Sequence, residues 1–179
     1  MCQQALAGRE KLLGPNHPDT LSTVNQLASV YEAQGHHKEA ETLYQQALAG
    51  KEKLFGPDHP NTLYTVHDIA SLYYSQGRYK EAETMCQWAL AGREKLFGPD
   101  HPDTLSTVNQ LASVYEAQGH HKEAETWYQQ ALTGREKLLG PDHPSTLYTV
   151  HNLARLYHLQ GCYKEAETLL ENQHLVYQS

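Results

Sequence analysis

Apolar residues return along this chain on helical spacing. Val24, Leu27, Ala28 and Tyr31 stand 0, 3, 4 and 7 apart, which places them on one face of a helix. Gly35 predicts its end, because glycine accepts the left-handed conformation just past a helix. Ala40, Leu43, Tyr44, Ala47 and Leu48 repeat the spacing, and Leu54 and Phe55 prolong the stripe, so a second, longer helix is expected, closed by Gly56 and Pro57. Pro18, Pro60, Pro102 and Pro144 suit the first turn of a helix, where a missing N–H costs little. Asp19 and Asp103 sit in that turn, favourable against the helix dipole, and Arg9, Lys11 and their counterparts lie near the far end of the second helix. The unit is thus a helical hairpin. Alone it would leave its apolar stripe wet, so its stability must come from stacking on neighbours.

The pattern has a period of 42 residues: Gly14, Gly56, Gly98 and Gly140 each open a Gly-Pro-x-His-Pro segment. All eight prolines lie in those segments and all twelve glycines at three positions of the repeat, which means helices of fixed length between fixed turns. A second period of 84 is superposed, since residues 20–42 return letter for letter as 104–126. Self-similarity of this kind marks a stacked array. One elongated all-α domain is expected over 1–179: a partial second helix plus linker (1–17), repeats at 18–59, 60–101 and 102–143, and a fourth at 144–179 whose last helix diverges. There Gln173 and His174 replace the apolar pair seen at Ala47 and Leu48, a polar cap for the array's end. Gly8, Gly50, Gly92 and Gly134 fall inside second helices at a cost of roughly 1 kcal/mol each. Close helix packing, or inheritance by duplication, explains them more simply than a functional kink.

Composition removes several classes. A formal charge of -7, with Lys and Arg interleaved among Glu as at Arg9-Glu10-Lys11, offers no basic face for nucleic acid. Cys2, Cys86 and Cys162 form no CxxC pair, so neither a disulfide framework nor a zinc site is indicated, and a reducing, cytoplasmic setting is expected. No apolar run approaches membrane-spanning length and no signal-peptide pattern is present, so no membrane partner is expected.

The segments LAxxYxxQGxxxEAExxYxxAL at 27–48 and 111–132, followed by GPDHPxTL at 56–63, closely resemble the tetratricopeptide repeat in its 42-residue variety, found in kinesin light chains and in repeat regions of fungal NLR-like proteins. Residues 69–90, and imperfectly those from Leu153, match the same motif. The resemblance implies a right-handed superhelical α-solenoid and a non-catalytic scaffold that holds a peptide or protein segment in a concave groove lined by first helices, with no cofactor and no metal. Carried onto this chain, the groove face is Ser22, Asn25, Gln26, Ser29, Glu32 and Ala33, then Tyr64, His67, Asp68, Ser71, Tyr74 and Ser75. The third repeat gives Ser106, Asn109, Gln110, Ser113, Glu116 and Ala117, and the fourth Tyr148, His151, Asn152, Arg155, His158 and Leu159.

Comparison of 20–55 with 62–97 finds 13 differences, five of them on that face, at 22/64, 25/67, 26/68, 32/74 and 33/75. The stretch AL-x-G-x-EKL, read as the other exposed surface, barely changes. Related arrays grip a C-terminal carboxylate with Lys and Arg, whereas this face carries only Arg155 as a cation, so such a clamp is not expected. Its Asn and Gln amides suit a peptide backbone instead, and Tyr64, Tyr74 and Tyr148 offer flat apolar area.

His17, His59, His101 and His143 precede proline and read as turn residues. His151 and His158, with His67, lack the carboxylate or cysteine set that would complete a metal shell. Cys86 and Cys2 occupy the core site of Tyr44, and Cys162 a turn. No phosphate loop, nucleophile elbow or paired-carboxylate site is present, so no enzyme is expected. The alternative to groove binding is a homo-oligomer formed by head-to-tail stacking of exposed terminal helices.

Overall fold

Each linker histidine begins a helix. The Nδ1 of His17, His59, His101 and His143 accepts from the backbone N–H of Asp19, Asn61, Asp103 and Ser145 at 3.1–3.2 Å, and the following proline occupies the first helical turn. The imidazole therefore takes the N-cap role usually held by Ser, Thr, Asp or Asn. Phe55 and Phe97 stack on His59 and His101 with ring centroids 4.5 Å apart, which holds the caps in place.

The first helices end alike. His36 N–H donates to the Tyr31 carbonyl and Gly35 N–H to that of Glu32, both at 2.9 Å, with Gly35 at φ +78°; this is a Schellman closure. The same pair of bonds closes the turns at Gly77, Gly119 and Gly161. The accompanying side-chain contact is aromatic or cationic: Tyr31 stacks on His36, and the Arg78 guanidinium lies 4.0 Å from the Tyr73 ring centre.

The computed structural model describes residues 2–176, with side chains for 4–171. In order the helices are α1 (Cys2–Leu13), α2 (Pro18–Ala33), α3 (His37–Phe55), α4 (Pro60–Ser75), α5 (Tyr79–Phe97), α6 (Pro102–Ala117), α7 (His121–Leu139), α8 (Pro144–Leu159) and α9 (Tyr163–Val176). Among the described residues there is no strand. The chain divides into two compact units, 1–92 and 93–179. In the first, α2 packs on α1, α3 and α4; in the second, α8 packs on α6, α7 and α9. The expected core side chain at Cys2 and the expected cap residues Gln173 and His174 lie outside the described side chains.

The core of each unit follows the apolar stripe. Leu21, Val24, Ala28, Ala40, Tyr44 and Ala47 are buried in the first unit, as is Cys86, and Leu105, Val108, Ala112, Ala124, Tyr128 and Ala131 in the second. Leu54 is a correction: it is 47% exposed, whereas the neighbouring Phe55 stacks on His59. Glycine inside the second helices has a steric cause. A Cβ on Gly50 would lie 2.5 Å from a Leu21 methyl, on Gly92 2.7 Å from Leu63, and on Gly134 2.6 Å from Leu105, and those leucines are at most 1% exposed and have nowhere to move. Gly8 meets nothing within 4 Å.

These contacts separate chemically identical substitutions. Gly134→Ala is expected to destabilise the protein by about 1–2 kcal/mol, overpacking outweighing the gain in helix propensity. Gly8→Ala is expected to stabilise α1 by up to about 1 kcal/mol. Urea unfolding of the two variants checks this; the same sign for both would show that the leucine contact is not what excludes a side chain.

Candidate functional site

The first-helix face is built by α2 and α4 in one unit and by α6 and α8 in the other. In the first unit a cleft of about 440 Å³ is lined by Ser22, Asn25, Gln26 and Ser29 of α2, Asn61, Tyr64 and Asp68 of α4, and Lys51 of α3. Six of these were expected from sequence; Asn61 and Lys51 were not. Tyr64 and Tyr148 stand 59% and 58% exposed, apolar rings held in water. Ser22, Gln26, Ser29, His151, Arg155 and His158 are exposed as well, and Glu32, His67, Asp68, Ser71, Tyr74, Ser106, Gln110 and Ser113 are half-buried.

Four residues expected on the open face are instead in its wall. Asn25, Asn109, Asn152 and Glu116 are at most 9% exposed. Asn25 and Asn109 are covered because α2 meets α4, and α6 meets α8, along this edge. Asn25 Nδ2 donates to Asp68 Oδ2 at 2.7 Å, tying the two first helices together, while Asn25 Oδ1 has no hydrogen-bond partner. Asn109 Oδ1 and Asn152 Nδ2 are likewise buried without one. Glu116 is claimed from two sides: Tyr128 Oη donates to Oε2 at 3.0 Å, and Arg155 Nη2 at 2.9 Å. Arg155 is therefore already paired with Glu116. Tyr44 holds Glu32 in the same way at 3.0 Å. Both tyrosines are pushed well above the ordinary phenol range, chiefly by burial, with the nearby carboxylates adding to it, so they remain donors.

The floor contains a feature that sequence reading missed. Lys51 is 4%, Arg93 5% and Arg135 7% exposed, although the stretch that carries them was read as surface. Each reaches the threonine of the following first helix: Lys51 Nζ donates to Thr65 Oγ1 at 2.8 Å, Arg93 Nη1 to Thr107 Oγ1 at 2.6 Å, and Arg135 Nη1 to Thr149 Oγ1 at 2.6 Å. Arg93 and Arg135 add the carbonyls of Asp103 and Ser145 at 2.9 and 2.7 Å. A base at 9, 51, 93 and 135 and a threonine at 23, 65, 107 and 149, with no exception, is the signal that was available. Within that stretch Ala47 and Lys51 are buried, whereas Lys53 and Leu54 remain exposed. Burial pulls Lys51 below the ordinary lysine range, opposed by Asp68, and lowers Arg135 in the same way.

Among the described residues no three His, Cys, Asp or Glu side chains are placed to hold a metal ion. Nor is any helix there long and apolar enough to cross a membrane.

A succession of capped helix pairs whose second helices are locked to the next first helix by a buried cation defines a helical repeat protein. The chain belongs to the tetratricopeptide repeat family, whose model matches residues 1–53, 25–95, 62–137 and 109–172. Members are protein–protein interaction scaffolds, generally non-catalytic. The chain is similar to a crystal structure of a kinesin light chain candidate from Podosopora anserina with nearly identical TPR-like repeats: 32% identity over 98% of this chain and 82% of that one, TM-score 0.83. A second structure of those repeats gives 32% identity, 98% and 83% coverage and a TM-score of 0.81. BtubC from P. vanneervenii shares the fold at 22% identity, with 99% and 70% coverage and a TM-score of 0.85. No curated protein matches.

Lys51 supplies a pH test. Its pKa in the folded protein is depressed, so the unfolded chain keeps the proton to higher pH, and stability rises with pH between the folded and unfolded values. Relative to Lys51→Met, the wild type is expected to gain stability between neutral pH and the ordinary lysine value of about pH 10.4. Urea titrations at both pH values measure it, and a difference that stays constant would contradict a buried, charge-penalised amine.

Proposed function

We propose that the first-helix faces hold an extended peptide segment through its backbone, with the exposed tyrosines packing its side chains. The observation behind this reading is the set of buried asparagines, each with one amide atom lacking a partner: an acceptor on Asn25, an acceptor on Asn109 and a donor on Asn152. An unsatisfied buried group costs about 1–3 kcal/mol, and because these atoms have almost no accessible surface a ligand amide relieves that cost only as the wall gives way to it. A peptide bond offers one donor and one acceptor, the complement of what Asn109 and Asn152 leave open in the second unit. Tyr64 and Tyr148 add large, rigid contact area at low entropic cost. Residues 1–179 act in this reading as one array, with repeats at 18–59, 60–101, 102–143 and 144–179. The setting is cytoplasmic, in keeping with the free thiol of Cys162.

Panning of a displayed random-peptide library on the 179-residue protein, followed by fluorescence anisotropy of retained peptides, tests the proposal. Asn25→Ala, Tyr64→Ala and Tyr74→Ala together are expected to weaken binding at least about tenfold, the loss of one hydrogen bond and two ring contacts. Retained peptides that ignore the triple variant would exclude this face as the binding surface.

A second reading is stacking of copies end to end, favoured by Leu12 and Leu13 of α1, which are 82% and 46% exposed. Light scattering over a wide concentration range is expected to show growth beyond the monomer under this reading. A strictly monomeric particle ends it.

A further inference from the structure

We infer that α7, α8 and α9 of the second unit form a guanidinium site, which takes an arginine side chain of a partner protein over Tyr157 and between Glu125 and Glu165. None of these residues belongs to the first-helix face, so the site does not rest on the reading above. The first unit shows the same site filled from within. There Arg78, which follows the turn glycine Gly77, lies with its guanidinium 4.0 Å from the Tyr73 ring centre. Its Nη1 donates to Glu41 Oε2 at 2.8 Å and to Gln76 Oε1 at 2.9 Å, and its Nε and Nη2 donate to the two oxygens of Glu81 at 2.9 and 2.5 Å. Eighty-four residues on, the ring and every acceptor return as Tyr157, Glu125, Gln160 and Glu165, but position 162 is cysteine. In the first and third repeats this turn also lays a planar side chain against the ring, His36 on Tyr31 and His120 on Tyr115. Cysteine has neither the length nor the donors to do so.

The acceptors of the second unit keep the capacity that Arg78 uses in the first. Glu125 Oε1 takes Gln129 Nε2 at 3.2 Å and Tyr157 Oη at 3.1 Å, which leaves Oε2, the oxygen that holds Arg78 on Glu41. Glu125 is half-buried and Glu165 exposed. Burial pushes the Tyr157 phenol above its ordinary range and both carboxylates add to this, so Glu165 as well as Glu125 lies near the ring. Lys164 is the cation at hand, yet the first unit has Lys80 at the same position and still seats Arg78. Glu125 and Glu165 against Lys164 leave one negative charge, which a guanidinium balances as Arg78 does in the first unit. A planar cation with a fork of donors stacks on the ring and bonds both carboxylates at once, which a lysine ammonium cannot do. Beside the ring opens a groove of about 510 Å³, lined by Leu132, Leu153 and Leu169 as well as Tyr157 and Glu165. The occupant is therefore an arginine flanked by an apolar residue. A second copy is not its source, because all five arginines of this chain already bond acceptors of their own chain.

The experiment pans a displayed random-peptide library on the full chain and keeps the peptides that Cys162→Arg no longer holds. That variant restores the residue found in the first unit, so it is expected to fold, which its urea midpoint verifies. Glu165→Gln, at an exposed position, gives a second test. The kept peptides are expected to carry arginine beside an apolar residue. In fluorescence anisotropy, replacing that arginine by citrulline, its neutral isostere, is expected to weaken binding about tenfold, and Glu165→Gln to weaken it similarly. Lysine in place of the arginine is expected to recover only part of the loss. No peptide lost on Cys162→Arg, kept peptides without arginine, or a citrulline step near unity would each overturn the site. Peptides that ignore both variants and weaken only in Tyr64→Ala would overturn it too, while leaving binding at the first-helix face in place. Wild-type self-association in light scattering that Cys162→Arg abolishes would make a second copy the occupant and overturn the assignment to a partner protein.

Discussion

Each unit depends on two adjacent residues of one second helix, α3 in the first and α7 in the second. Gly50 lets the Leu21 methyls approach where a Cβ would be 2.5 Å away, and so sets how closely α2 and α3 cross. Lys51, one residue on, bonds Thr65 of the next first helix. The same pair recurs as Gly134 with Arg135, which pack on Leu105 and reach Thr149. In α3 and α7 a glycine thus closes the hairpin and a buried base joins it to the following first helix. Burying a cation is costly unless it is hydrogen-bonded, and here each is held by a threonine hydroxyl, with a carbonyl added for Arg93 and Arg135.

Fixing those crossings brings polar side chains of successive first helices into contact. Asn25 reaches Asp68 only because α2 and α4 meet along one edge, and Glu116 lies within reach of both Tyr128 and Arg155 for the corresponding reason in the second unit. The face therefore has depth: exposed tyrosines and serines outside, buried amides and carboxylates beneath. Core tyrosines at 44 and 128 hold Glu32 and Glu116 from below, so the inner carboxylates are oriented before any ligand arrives. Preorganisation of this kind lowers the ordering cost that limits peptide affinity.

Helix limits and core were legible because they are local. The 0-3-4-7 spacing of Val24, Leu27, Ala28 and Tyr31, the glycine at 35 and the proline at 18 each act through the backbone within a few residues. The role of Gly50 was legible in outline as close packing, though not its partner, since nothing local names Leu21. At the site, residue type and face could be read for Tyr64 and Ser22, which the structure leaves exposed. Depth could not. Asn25 and Gln26 are adjacent amides that look equivalent in sequence, yet α4 buries the first and leaves the second in water. Lys51 looked like a surface charge because lysine usually is one, and only the pairing of α3 with α4 gives it a buried partner.

By itself, then, the sequence determined a periodic all-helical chain with proline-opened starts and glycine-closed ends, because those outcomes rest on backbone conformation and near-neighbour hydrogen bonds. The tertiary structure alone decided which polar atoms stay wet, which are spent on one another and which are buried without a partner. Those fates depend on distances between helices far apart in the chain, and two identical asparagines, at 25 and 109, face an aspartate in one unit and an asparagine at the matching position in the other.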